Sequence, residues 1–220
     1  MSTSPSTIRE SVTEFTVGFN DAVGPTLAAV FEREQAALAA VGVPSAVATA
    51  GQSLPAATLL AADGSQLPLA DVLAATPAVI VFYRGAWCPY CNLTLKHYNE
   101  NLAPALADRG VTLVAISPQT PEGTEAATLK DDLGFTVLSD PGNALANELG
   151  IVTAPSDDAR AAHTELGFAV ADSNADATPA IPYPTVLVVD AGGVIRWIDV
   201  HVDYTSRTEV PEVLAAVDAL

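Results

Sequence analysis

The chain has 220 residues, half of them apolar, which is enough for one well-filled core with an appendage rather than for two domains. Nine Lys and Arg stand against 26 Asp and Glu, a formal net charge of -17 that argues against nucleic acid as a partner and suits a soluble acidic surface. There is no unbroken apolar run of about 18 residues to span a membrane, and the polar start Met1-Ser2-Thr3-Ser4-Pro5-Ser6-Thr7 has no basic-apolar signal, so with only two cysteines a cytoplasmic location is expected.

Residues 1–7 read as disordered. From Ile8 to Val41 apolar residues, Val12, Phe15, Phe19, Leu27, Val30, Phe31 and Leu38 among them, recur at helical intervals. An interruption is predicted at Gly24-Pro25, since proline opens a helix well and continues one badly. Residues 1–47 thus form a helical extension, packed on the core or on another subunit, ahead of a main domain over 48–220. Residues 42–56 are rich in Gly, Pro, Ser and Ala and read as a connection. Thr58-Leu59-Leu60 and Gln66-Leu67-Pro68 flank the turn Ala62-Asp63-Gly64-Ser65, a hairpin signal. Leu69 to Ala75 is a short helical turn.

Ala78 to Phe82 is predicted as a buried strand. It leads into Cys88-Pro89-Tyr90-Cys91 and a helix that continues from Asn92 toward Asp108, bent or restarted at Pro104. Val111 to Ile116 is a second strand, its nearly continuous apolar run suiting cover on both faces. A helix over Pro121–Leu133, a strand over Phe135–Leu138 and a helix over Asn143–Leu149 follow, and this alternation argues for an α/β sheet. A helix is expected around Ala159–Leu166. Thr185–Val189 and Val194–Ile198 flank Asp190-Ala191-Gly192-Gly193 as a hairpin, and Glu209–Leu220 closes the chain as a helix.

Cys88 and Cys91 are the only cysteines of the chain. A helix start offers unpaired N–H groups and a partial positive charge, which favour thiolate over thiol, and thiolate is the nucleophile. Two intervening residues let the second sulfur close a disulfide. The helix-end argument favours the outer sulfur, Cys88. Two inert buried cysteines are the plain alternative. Zinc would need two of His97, His163 and His201, none at a standard ligand spacing. The pair fits two reactions: attack on a peroxide followed by condensation of the sulfenic acid to a disulfide, or attack of Cys88 on a substrate disulfide with Cys91 resolving. Nothing signals haem, flavin or nucleotide, so no cofactor and no metal are expected.

The order strand, Trp-Cys-Pro-Tyr-Cys, helix, strand, helix, Pro-led hairpin and final helix is similar to the thioredoxin-like order. Four stretches narrow the likeness: Gly51-Gln52-Ser53-Leu54-Pro55 before the Asp63-Gly64 turn, Phe82-Tyr83-Arg84-Gly85-Ala86-Trp87-Cys88-Pro89-Tyr90-Cys91, Leu138-Ser139-Asp140-Pro141-Gly142-Asn143 running to Leu149-Gly150-Ile151, and Asp203-Tyr204-Thr205-Ser206-Arg207-Thr208-Glu209. Over about residues 48–220 the chain resembles the peroxiredoxin-like branch of the AhpC/TSA family. The resemblance implies a thioredoxin-like, peroxiredoxin-type α/β sandwich: a mixed central sheet flanked by helices, here with an N-terminal helical extension. It implies a thiol-dependent peroxidase acting on hydrogen peroxide or alkyl hydroperoxides through a Cys88/Cys91 dithiol–disulfide cycle. It further implies an external thiol reductant (thioredoxin, a glutaredoxin system or a low-molecular-weight thiol) and a homodimer. A thioredoxin- or glutaredoxin-like disulfide oxidoreductase and a non-catalytic redox-sensing binding module are the alternatives.

The chain departs from the family's Pro-x-x-x-Thr/Ser-x-x-Cys at its centre. Cys91 takes the cysteine place, Cys88 the Thr place and Arg84 the Pro place, so strand-to-cysteine length favours Cys91 as the attacking sulfur where the helix end favours Cys88. Arg84 is a candidate to stabilise the thiolate and polarise peroxide, or else an ion-pair partner for a carboxylate. Arg207 is a supporting candidate, or a partner of Asp203 or Glu209. Trp87 gates the pocket or packs. Pro89 and Tyr90 stand between the cysteines, with Tyr90 tuning the redox potential or simply solvated. By the same resemblance the Tyr183–Pro184 bond is expected to be cis and to face the thiols, with Pro184 preventing strand pairing beside them. His97, six positions after Cys91 and on a different helix face, reads as surface or core, and His163 and His201 show no visible partners and are assigned no chemistry.

Overall fold

The computed structural model describes residues 7–220, so the stretch expected to be disordered lies outside the described residues except for Thr7. Thr7 is ordered because it caps α1 (Ile8–Val41): its Oγ1 accepts the Glu10 N–H and the Glu10 carboxylate accepts the Thr7 N–H, satisfying two otherwise orphaned donors. The Glu209 carboxylate takes the next two, from Ile8 (3.1 Å) and Arg9 (2.9 Å), tying the head of α1 to the tail of the chain. Gly24, at φ 78° and ψ 166°, breaks α1 where the Gly-Pro pair predicts a break.

The remaining expected elements follow in their expected order, with two short strands (Val152–Thr153 and Ile181–Pro182) and a short helix (Val170–Ser173) added where the sequence predicts only the helix around Ala159–Leu166. A hairpin of β1 (Thr58–Leu60) and β2 (Gln66–Pro68) precedes α2 (Leu69–Leu73), β3 (Ala78–Phe82) and α3 (Pro89–His97). Next come α4 (Ala103–Ala107), β4 (Thr112–Ser117), α5 (Pro121–Asp131), β5 (Thr136–Ser139) and α6 (Ala144–Glu148). The chain ends with β6 (Val152–Thr153), α7 (Asp157–Glu165), α8 (Val170–Ser173), β7 (Ile181–Pro182), β8 (Thr185–Val189), β9 (Ile195–Val200) and α9 (Val210–Val217). Between α3 and α4 the helix does not simply bend at Pro104. It widens into a π turn over Tyr98–Leu102, consistent with the N–H that Pro104 cannot donate to the preceding turn.

Seven strands form one mixed sheet in the order β2-β1-β5-β4-β3-β8-β9. β3 pairs parallel to β4 and antiparallel to β8, and β4 pairs parallel to β5. All five residues of β3 are buried, because side chains alternate and both faces are covered. Val79 and Val81 face a core with Leu95, Tyr98, Val213 and the head of α1 (Ile8, Val12), while Ile80 and Phe82 face one with Leu69, Leu145 and Leu149. The cysteines belong to the first core, at the carboxyl end of a central strand.

The Tyr183–Pro184 bond is not cis, and no cis peptide occurs among the described residues. The chain runs extended from β7 into β8 here: the Tyr183 N–H bonds Ile151 O at 2.8 Å and the Pro184 C=O accepts the His201 N–H at 2.9 Å. No tight turn requires the cis form, and trans is favoured by about 0.5–1 kcal/mol. Among the described residues no helix is long and apolar enough to cross a membrane.

Candidate redox site

β3 ends at Phe82, and the loop 83–87 carries the chain to α3. Gly85 permits this path: at φ 140° it lies under the Trp87 indole, whose Nε1 would be 2.5 Å from an added Cβ. Buried Gln119 holds the loop by accepting the Ala86 N–H at 2.7 Å, and Asn92 donates its amide to Ala86 O at 2.8 Å. Cys88 is then the N-cap of α3, with Pro89 in the first turn, where a missing N–H costs nothing.

Both cysteines are free and both are 1% exposed. The outer one does not behave as the helix-end argument expects. Burial pushes the Cys88 thiol well up, and its hydrogen bond to Cys91 and the charge there hold its proton further, with Arg84 and Arg207 opposing only in part. Arg84 Nη1 stands 4.0 Å from Cys88 Sγ. Burial also pushes Cys91 up, but the Cys88 hydrogen bond, Arg207, the Arg84 backbone N–H and the Arg84 guanidinium outweigh it and lower the Cys91 pKa to about 5. Arg207 Nη2 is 3.4 Å from Cys91 Sγ. The surroundings thus favour the proton on Cys88 and the negative charge on Cys91.

Arg84, one of the two expected roles for which was an ion pair, is 5% exposed, and no carboxylate lies within ion-pair distance among the described residues. Its guanidinium is instead sandwiched between the Trp87 ring (4.8 Å) and the Tyr204 ring (4.1 Å), which attract a cation with their faces. Arg207 pairs with neither Asp203 nor Glu209. Its Nη1 bonds the carbonyls of Tyr204 and Ser206, which aims Nη2 at Cys91. A network braces this loop: His201 bonds Ser206 Oγ (2.7 Å) and Asp199 (2.9 Å), Thr208 donates to Asp199 (2.8 Å), and Tyr98 OH reaches Thr208 O (2.7 Å).

Tyr90 turns away from solvent toward the extension, edge-on to Phe15 (5.3 Å) with its hydroxyl 3.4 Å from Thr16 Oγ1. Tyr183 and Pro184 are buried behind the thiols. Pro184 lines the water-sized cavity, about 10 Å³, beside Cys91, together with Thr94, Arg207 and Thr208. His97 is not among the residues lining the cavities at the thiols. A far larger cleft, about 640 Å³, opens on Cys88 and not on Cys91. Its walls are Phe19 and Phe31 of the extension, Trp87 and Tyr90 of the cysteine motif, and His163 and Phe168 from α7 and the turn after it.

His163, which the sequence gives no partner, is 5% exposed and sits among Phe31 (5.4 Å), Trp87 (5.6 Å) and Phe168 (4.8 Å). Burial, aided by Arg84, lowers its pKa to about 4, so it is a neutral ring at neutral pH. Gln119 and Phe168 are likewise site residues that no motif marks, and Tyr204 lies inside the Asp203–Glu209 stretch without being singled out there. The alternation of His163 with Phe168, five residues apart across a helix end, carries no sequence signal of its own. Among the described residues no group of three His, Cys, Asp or Glu could hold a metal ion.

Residues 50–198 match the AhpC/TSA family. A putative peroxiredoxin of Mycobacterium tuberculosis is 37% identical over 95 residues, 42% of this chain and 58% of that protein. The chloroplastic peroxiredoxin Q of Populus jackii is 32% identical over 101 residues, 46% of each chain. The chain thus spans about half the length of these relatives. Among solved structures, peroxidoxin BcpB of Mycobacterium tuberculosis superposes with a TM-score of 0.58 at 20% identity, over 78% of this chain and 97% of that one. Reduced Prx3 of Vibrio vulnificus, in complex with H2O2, gives 0.63 at 19% identity, over 78% and 99%. At such identities the structural likeness establishes the fold.

Proposed function

The chain belongs to the AhpC/TSA family, and from that premise we propose that it is a thiol-dependent peroxidase of the cytoplasm, cycling Cys88 and Cys91 between dithiol and disulfide. One observation carries the reading: a buried pair of free cysteines with one guanidinium at 3.4 Å from Cys91 Sγ and another at 4.0 Å from Cys88 Sγ. A thiolate held down by cations is a ready nucleophile, and the same cations suit the negative oxygen that leaves when an O–O bond breaks.

Cys91 is the attacking sulfur in this proposal. Its thiolate displaces the leaving oxygen of the peroxide and becomes a sulfenic acid, and the released hydroxide or alkoxide takes up a proton to leave as water or alcohol. The Cys88 thiol then attacks Cys91–SOH, forming the disulfide and releasing a second water. The small cavity at Cys91 has room for little more than a water, which favours hydrogen peroxide over bulky hydroperoxides. Arg207 holds the thiolate. Arg84 contributes its backbone N–H and its charge.

Stopped-flow Trp fluorescence of the reduced protein mixed with hydrogen peroxide tests this, because Trp87 adjoins the pair. The expected result is a second-order rate far above that of a free thiol, lost in Cys91→Ser. In Cys88→Ser the first step persists and stops at a sulfenic acid that dimedone traps. A rate no better than a free thiol overturns the peroxidase, and disulfide exchange by Cys88, the sulfur that faces the large cleft, becomes the reading to pursue.

A further inference from the structure

The two sulfurs face two spaces of very different size. Cys91 borders a cavity of about 10 Å³, and Cys88 forms part of the floor of a cleft of about 640 Å³. A peroxide needs no such cleft. The second reactant of the cycle, the reductant, must attack one sulfur of the disulfide directly, and of the two cysteines only Cys88 lines the cleft.

We infer that the cleft is the binding site of a low-molecular-weight thiol, of amino-acid or small-peptide size, that reduces the Cys88–Cys91 disulfide. The inference rests on the peroxidase reading and deepens it. Three features of the site carry it. The volume falls within the range of small-ligand pockets, about 300–1,000 Å³. Cys88 lines a cleft whose walls come from α1 and the α7 region, a concave shape that suits a small molecule better than the convex surface on which a folded protein presents its own cysteine. The cleft also combines aromatic walls (Phe19, Phe31, Phe168) with polar lining groups (Asn20, Glu32, Gln35), the mixture that holds an amide-bearing ligand. The residues that shape the α1 wall lie outside the stretch matched by the family.

The ligand thiolate attacks Cys88 Sγ in line with the disulfide, the S–S bond breaks, and Cys91 leaves as the thiolate that Arg207 receives, leaving a mixed disulfide on Cys88. A second thiolate attacks the ligand sulfur of that mixed disulfide and frees Cys88, which regains a proton. The ligand is oxidised to its disulfide and the protein is reduced by two electrons. A low-pKa leaving sulfur speeds the first of these steps.

The test uses the disulfide form of the full chain, with reduction followed by Trp fluorescence. Glutathione and cysteine serve as the small-thiol probes, and reduced thioredoxin is the comparison at equal concentration. The expected result is faster reduction by at least one small thiol than by thioredoxin, and a probe adduct on Cys88, found by mass spectrometry, when Cys91→Ser is mixed with the disulfide form of that probe, whose other half leaves as the thiol. In Asn20→Trp, which adds the bulk of an indole to the cleft lining, reduction by the small thiol falls about tenfold further than oxidation by hydrogen peroxide does. Faster reduction by thioredoxin, failure of both small thiols, or equal effects of Asn20→Trp on the two half-reactions overturns the inference. Each of these outcomes leaves the oxidation rate, and so the peroxidase reading, separately measured.

Discussion

Removing the Arg207 charge tests the electrostatic core of the site. Arg207→Met keeps most of the side-chain bulk and deletes the guanidinium that stands 3.4 Å from Cys91 Sγ. At an effective dielectric of about 20 the bare attraction over that distance is about 5 kcal/mol. The observed worth of a hydrogen bond to a charged group is smaller, about 1.5–3 kcal/mol. At about 1.36 kcal/mol per pKa unit this is a rise of about 1–2 units, which takes Cys91 from about 5 to about 6–7. The assay is a pH titration of thiolate ultraviolet absorbance on reduced protein, with the peroxide rate measured in parallel. At roughly pH 5.5 the thiolate fraction falls from about three quarters to between a quarter and a few per cent, whereas near pH 8 both proteins are mostly ionised. The rate deficit of the variant should therefore be largest in acid and shrink toward alkaline pH, where any remainder reports lost stabilisation of the leaving oxygen. Arg207→Lys should recover part of the shift because it keeps the charge. An unchanged lowest thiol pKa in Arg207→Met, with near-ultraviolet circular dichroism intact, would refute the assignment of that charge to Arg207.

Three further outcomes follow from the same structure. In the wild type the second-order rate with hydrogen peroxide should be flat above about pH 6 and fall about tenfold per unit below about pH 5, as Cys91 takes up its proton; a midpoint near the ordinary thiol value would contradict it. His163, with a folded-state pKa lowered to about 4 from 6.5, stabilises the fold fully above about pH 6.5, and that contribution is lost as pH falls through 4, because the unfolded chain binds the proton first. In His163→Phe the drop in urea midpoint between those two pH values should shrink, and an unchanged drop would place the acid sensitivity elsewhere. Gly150→Ala puts a Cβ 2.3 Å from Ala46 O at φ 70°, so a loss of about 2–4 kcal/mol is expected from urea unfolding, and a neutral result would mean that residues 46–47 are not held against Gly150.

What the sequence makes legible here is what neighbours in the chain decide. The buried strands announce themselves by β-branched runs such as Val79-Ile80-Val81, the helix break by Gly24-Pro25, and the redox pair by two cysteines at the start of a helix. Pairings between distant segments leave no such mark. His163 is 75 residues from Cys88, and its place in the cleft is fixed by Phe31 and Phe168 stacking on it and by Glu34, whose carboxylate accepts the Ser156 N–H at the head of α7 (2.9 Å). The resemblance supplied a cis bond at Pro184 that this chain has no turn to require. Arg84 was readable as a charge near the thiols, but its retention by two aromatic faces depends on Tyr204, which arrives from the other end of the chain.

The location of the charge within the pair follows from that same long-range assembly. Helix-end physics acts on whichever sulfur lies at the N-terminus, and it favours Cys88. Its strength at a terminus is typically about 0.3–1 kcal/mol, up to about 2 in partly buried sites, while full desolvation raises a buried thiol by a comparable or larger amount. With both sulfurs 1% exposed, the helix end cannot decide the matter, and the outcome goes to the sulfur with the closer cation and the better donors. Cys91 has Arg207 at 3.4 Å, the Arg84 backbone N–H and the Cys88 S–H, whereas Cys88 has Arg84 at 4.0 Å. A loop 116 residues downstream, braced by His201, Asp199 and Tyr98, thereby selects the thiolate. Loosening that brace at His201 should act on the chemistry as a milder Arg207 substitution does, through the Cys91 pKa, even though neither His201 ring nitrogen bonds a sulfur.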